Sequence, residues 1–185
     1  MLNAEGKEVC RFCGKSILVD CGCTEETAPV RFVVFGEQRP QGSKKANAIY
    51  GRDGKPVMAG KRVVVVVRED NPKTREWRRQ VADSAAQAMD GRQLLTGALK
   101  LEIQFFRVRP ASHFRTGKNA HLVRDSAAKY PTTKPDQLKL ARAIEDALSG
   151  IVYRDDSQIV RHVLSEDWGE RWETQVKVTI LEKLQ

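Results

Sequence analysis

The chain has 185 residues and a formal net charge of +8, enough length for one domain with a real core and a small appendage. Its longest apolar run, Val63 to Val67, is strand-sized, and Met1-Leu2-Asn3-Ala4-Glu5 is not a basic start leading into an apolar stretch. A membrane span and a signal peptide are therefore not expected, and the reading is a soluble, cytoplasmic protein. The charge is uneven. Residues 1–30 hold Lys7, Arg11 and Lys15 against Glu5, Glu8, Asp20, Glu25 and Glu26, which leaves +10 on residues 31–185 and favours a polyanionic partner.

In chain order, residues 1–29 form a small unit holding all four cysteines, Cys10, Cys13, Cys21 and Cys23, and ending in the turn-like Thr24-Glu25-Glu26-Thr27-Ala28-Pro29. Four clustered thiols in a reducing compartment suit a metal better than disulfides, and four thiolates can close a tetrahedral Zn²⁺ site of structural type. The spacing Cys21-Gly22-Cys23 is tighter than usual, so a free-thiol tail stays open as the other reading. The main domain spans residues 30–185. Arg31 to Phe35 reads as a strand closed by Gly36, and a basic loop through Lys44 and Lys45 follows. Val63 to Val67 reads as a strand buried on both faces. Thr74 to Met89 is a helix with Trp77, Val81, Ala85 and Ala88 on one side, ended by Asp90-Gly91.

Leu99 to Val108 alternates as a strand with Leu101, Ile103 and Phe105 on one face. Residues 109–135 form a long irregular segment, the kind that is usually functional. A second helix spans Gln137 to Leu148, capped by Asp136 and closed by Ser149-Gly150, with Leu140, Ile144, Ala147 and Leu148 as its buried stripe. Strands follow at Gln158 to Leu164 and Thr174 to Leu181. The mixture is α+β or α/β. Trp77, Trp168 and Trp172 read as packing residues of the core or of a dimer.

The chemistry is concentrated between Lys134 and Ile159. Asp136 sits at a helix mouth, and Asp155 and Asp156 sit at the turn into a strand. If helix and strand pack together, these carboxylates can converge on one hard cation such as Mg²⁺, which is often held by one or two carboxylates with waters and substrate phosphate. Each aspartate alone is equally well read as a helix cap or a solvated turn.

Several ordered motifs resemble the RusA family of Holliday-junction resolvases, in its actinobacteriophage-like branch. They are Pro40-Gln41-Gly42-Ser43-Lys44, Trp77-Arg78, Arg109-Pro110-Ala111-Ser112-His113-Phe114, Thr132-Thr133-Lys134-Pro135-Asp136, Asp146-Ala147-Leu148-Ser149-Gly150 and Asp155-Asp156-Ser157-Gln158-Ile159. The resemblance implies a small mixed-sheet α+β domain with packed helices, here preceded by a zinc-knuckle-like unit. It implies a homodimeric, Mg²⁺-dependent endonuclease that nicks four-way DNA junctions symmetrically, with Asp136 and Asp156 as metal ligands. Arg142 stands where many members have a functionally important lysine, and Asp155 and Asp146 match recurring acidic positions.

One position departs from that pattern. Leu138 stands where the family has a second aspartate, on the polar side of the helix with Arg142 and Asp146. It reads either as a surface leucine or as a lost ligand, and the second reading makes the chain a catalytically impaired branched-DNA-binding protein. The segment from Arg107 to Arg124 carries Arg107, Arg109, His113, Arg115, Lys118, His121 and Arg124 with no acid. With Lys44 and Lys45, its members Arg109, His113, Arg115 and Lys118 are the expected phosphate contacts, gripping DNA without reading sequence.

Overall fold

The alternation along residues 99–108 is realised as the central strand of the structure, a computed structural model that describes residues 28–41, 44–69 and 72–182. The strands are β1 (Val30–Phe35), β2 (Lys44–Ala48), β3 (Met58–Ala59), β4 (Arg62–Val63), β5 (Val65–Glu69), β6 (Ala98–Val108), β7 (Ile159–Gly169) and β8 (Glu173–Glu182). The two helices are α1 (Pro72–Met89) and α2 (Gln137–Leu148). Four strands make one sheet in the order β1-β8-β6-β7. β8 pairs antiparallel with both β1 and β6, whereas β6 and β7 run parallel. The chain is thus a mixed α+β domain with a mixed sheet. Among the described residues no helix is long and apolar enough to cross a membrane.

Both helices cover one face of this sheet. Val30, Phe32 and Val34 of β1, Leu99, Leu101, Ile103 and Phe105 of β6, and Val176 and Val178 of β8 point into a single core. Trp77, Val81 and Ala85 of α1 and Leu140, Ile144 and Leu148 of α2 meet them there. The helical spacing of these residues is what makes each helix lie flat on the sheet. Both apolar stripes agree with the sequence reading, and α1 opens at Pro72, where Asn71-Pro72 is expected to start the helix, proline being a favoured first helical residue. α2 ends as expected, with Gly150 in the left-handed region at φ 79°.

The valine run is different. It splits into β4 and β5, with Val63 and Val65 about half exposed, and β5 pairs only with β2 in a separate two-stranded ribbon. The expected strand buried on both faces is not there. β-branched residues suit any extended backbone, so a valine run reports strand propensity and not depth.

Because β6 and β7 are parallel, the chain must return between them, and it does so through the long segment and α2. α2 therefore runs antiparallel to these strands. Its N-terminus lies at their carboxyl ends and its C-terminus at their amino ends, which sets the positions of the acidic residues.

Candidate active site

Asp136 caps α2: its Oδ1 accepts from the Lys139 backbone N–H at 3.2 Å, the residue itself extended at φ −71°, ψ 131°. The carboxylate is exposed at the rim of an open groove of about 790 Å³. Lys134, Lys139 and Arg39 line this groove together with Glu37, Asp136 and Glu166. Helix N-termini favour anions through their free N–H groups, so the mouth of α2 suits a phosphate approaching beside Asp136.

Arg107 builds the floor. It closes the core-facing side of β6 and is only 7% exposed. Its Nη1 donates to the Thr133 carbonyl at 2.8 Å and to Glu166 Oε1 at 3.0 Å, and its Nη2 donates to the Lys134 carbonyl at 2.8 Å. The rings of Trp168 and Trp172 lie 6.0 and 5.8 Å from the guanidinium. One buried cation thus ties the end of the central strand to the two residues before the cis peptide Lys134–Pro135, and so sets where Asp136 stands. Trp168 and Trp172 flank this arginine.

Glu166 is the site residue that the sequence reading missed. Burial pushes its carboxyl above the ordinary range; Arg107 pulls it back by hydrogen bond and charge, and the nearby negative charge of Asp136 raises it again. Two carboxylates that feel each other across a groove are a place where a cation is favoured. The signal was there in outline: Glu166 lies on the same side of β7 as Leu164, which packs against the core.

The expected meeting of Asp136 with Asp155 and Asp156 does not occur within one chain. Twelve residues of α2 separate them, a rise of roughly 18 Å. Asp155 accepts from the Ser157 N–H at 3.0 Å and makes a capping box with Gln158, while Asp156 is exposed in the short 3-10 turn 156–158. Asp146 accepts from Gln41 Nε2 at 2.8 Å and lies 3.5 Å from Arg78, an anchor for the loop after β1. Among the described residues no three His, Cys, Asp or Glu side chains gather as a metal site. Arg142 is exposed on the outer face of α2, and Leu138 on that face is 70% exposed.

The basic segment is ordered. Arg109 donates to the Ala128 carbonyl at 3.1 Å and stacks on Trp168, and the His113 ring meets the same indole edge-on. Arg115 pairs with Asp125 at 2.9 Å, and Arg124 Nε donates to the Phe114 carbonyl. Lys118 and His121 are exposed toward the tip. The side chains of Lys44 and Lys45, and all of Cys10, Cys13, Cys21 and Cys23, lie outside the described residues.

Asp136, Glu166, Lys134, Lys139 and Arg39 thus line one groove near the carboxyl ends of the parallel pair β6 and β7. The comparisons give the family. The chain matches endodeoxyribonuclease RusA over residues 53–180 and belongs to the RusA family, endodeoxyribonucleases that bind branched DNA junctions. β1 lies outside that match and is nonetheless an edge strand of the sheet. The chain is also similar to the uncharacterized protein YqaN of Bacillus subtilis (strain 168), 29% identical over 153 residues, 83% of this chain and 96% of that protein.

Proposed function

We propose that this chain resolves four-way (Holliday) DNA junctions by Mg²⁺-dependent, symmetric nicking as a homodimer. The observation that carries the reading is the pairing of Asp136 with Glu166 across a groove whose other walls hold Lys134, Lys139 and Arg39. The donor chemistry fits a hard cation, since Mg²⁺ is commonly held by one or two carboxylates and keeps waters and phosphate as its other ligands. When bound, it supplies charge neutralisation and an activated water at the phosphodiester.

The chain's own residues do the rest. Asp136 and Glu166 hold the cation, Arg107 keeps Glu166 and the Thr133-Lys134 backbone in place, and Lys134 and Lys139 take the phosphates. Arg142 adds positive charge along the outer face of α2. Two-fold assembly suits paired cuts, and it supplies Asp155 and Asp156 of the second copy to a site that one chain leaves short of carboxylates. Zn²⁺ on Cys10, Cys13, Cys21 and Cys23 completes the proposal as a structural ion.

A second reading has its own observation. α2 has no acidic residue in its first turn, and the exposed Leu138 stands at the position where the family pattern carries a second aspartate. On that reading the chain binds branched DNA and cuts poorly. Cleavage of a synthetic four-way junction in Mg²⁺ separates the two, with Asp136→Asn, Asp156→Asn and Leu138→Asp beside the unmodified chain. Paired nicks that vanish in both aspartate variants support the resolvase. Tight binding without nicks, with cutting gained in Leu138→Asp, supports the impaired enzyme. No binding by any form removes both.

A further inference from the structure

We infer that residues 44–69 form an arm that selects branched over continuous DNA, with Tyr50 and Met58 covering base faces that lie open at the branch point. Arg52, Lys55, Lys61 and Arg62 hold the phosphates around them. The inference rests on branched DNA as the substrate. The arm is the ribbon of β2 and β5 with the β3–β4 hairpin at its far end. Among the described residues the backbone hydrogen bonds of 46–66 stay inside it. The Ile49 N–H donates to the Val64 carbonyl at 3.0 Å, the Val57 N–H to the Ile49 carbonyl at 2.7 Å and the Val64 N–H to the Val57 carbonyl at 2.8 Å. No residue from 46 to 66 is buried. A two-stranded ribbon is marginal in water unless one of its faces is packed against something.

One face of the arm is apolar and open. Strand alternation puts Val63 and Val65 on the same side, and the register sets Met58 beside Val63 and Ala48 beside Val65. Tyr50, two residues after Ala48, shares that side. Tyr50 is 64% and Met58 52% exposed, and Val63 and Val65 are exposed with them. A contiguous apolar face of this kind marks a binding surface. Its charge says for what. Residues 44–69 carry seven Lys and Arg against two acids, which is +5 of the chain's +8. Two turns of the arm are basic, Gly51-Arg52-Asp53-Gly54-Lys55 and Gly60-Lys61-Arg62. Among the described residues every ion pair lies outside the arm, so these cations stay open to phosphate.

Apolar side chains among cations suit a polyanion only where its bases are uncovered. In a continuous duplex each base face is closed by the next pair. Where arms meet, the stack is interrupted, and an aromatic ring or a methionine can take the place of the missing neighbour. The root of the arm agrees with this. The chain enters β2 from Glu37, Gln38, Arg39 and Pro40, which line the Asp136 groove, and the Gln41 N–H donates to the Lys139 carbonyl at 3.0 Å. From Lys44 to Tyr50 the strand extends roughly 20 Å, so the arm reaches from the groove onto the DNA beside it.

The test is binding of the full chain to a synthetic four-way junction and to a linear duplex of the same sequence and length, by fluorescence anisotropy at fixed salt without Mg²⁺. Tyr50→Ala with Met58→Ala should lower the preference for the junction at least ten-fold, with duplex binding within two-fold and circular dichroism unchanged. Tyr50→Phe with Met58→Leu should restore most of it. Replacing Arg52, Lys55, Lys61 and Arg62 by Ala should weaken binding to both DNAs and flatten its salt dependence. A 2-aminopurine at the branch point should change its fluorescence when the chain binds, and Tyr50→Ala should remove that change. A junction preference that survives Tyr50→Ala with Met58→Ala, or an equal loss on both DNAs, would overturn the inference. So would a fall in sedimentation mass without DNA in that variant, which would place the arm against a second copy instead. Nicking in Mg²⁺ is scored apart: an arm-dependent preference in a chain that never nicks removes the nuclease reading alone, whereas a nicking chain whose preference ignores the arm removes this inference alone.

Discussion

At the residue scale, Arg107 joins what would otherwise be separate parts. It is a buried cation with one carboxylate, two carbonyls and two indoles around it. Removing one partner of a buried pair leaves the other charge without compensation. Arg107→Met should therefore cost about 3–5 kcal/mol in urea unfolding. Arg107→Lys should recover part of that and still leave cleavage weak, because a single ammonium lacks the planar fork that reaches Glu166 and both carbonyls together. An unfolding midpoint equal to that of the unmodified chain in Arg107→Met would show that Glu166 and the Thr133-Lys134 backbone hold their places without it.

At the scale of the element, α2 separates chemistry from folding in a way that mutation can use. Asp136 both caps the helix and offers its carboxylate to the groove. Asn caps as well as Asp, whereas Ala does not. Asp136→Asn should leave stability within about 0.5 kcal/mol and abolish cleavage, while Asp136→Ala should lose cleavage and about 1 kcal/mol as well. Leu138→Asp removes an exposed apolar side chain and puts a negative charge in a first turn that has none. It should be neutral or stabilising, by about 0.3–1 kcal/mol at low salt, in thermal unfolding. A marked loss of stability would mean that Leu138 is covered in the working assembly, and it would redirect attention to the outer face of α2 as a contact surface.

At the scale of the molecule, the net charge of +8 divides into cations already satisfied and cations left for a ligand. Arg109, Arg115 and Arg124 spend their donors on the loop itself, whereas Lys118 stands exposed. Lys118→Ala should lower the slope of log binding constant against log salt for junction DNA by about 0.9 per chain without changing the fold. Arg109→Ala should loosen the loop as well as weaken binding. This division was not legible in the sequence, where the basic segment reads as one run. Local and periodic features were legible: both helices, the cap at Asp136 and the alternation of β6. What sequence spacing concealed was direction. Asp136 and Asp156 are near in sequence because a helix joins them, and that helix carries them to opposite ends of the sheet. Glu166 was hidden for the converse reason, since only the parallel pairing of β6 with β7 sets it beside Arg107. The strand order also has a consequence for synthesis. β8 sits between β1 and β6, so the first strand made has no neighbour in the sheet until the last has been made. A chain halted short of residue 173 holds β1 and the apolar side of β6 without the strand that joins them, and such late, long-range pairing leaves apolar surface open to aggregation until β8 is in place.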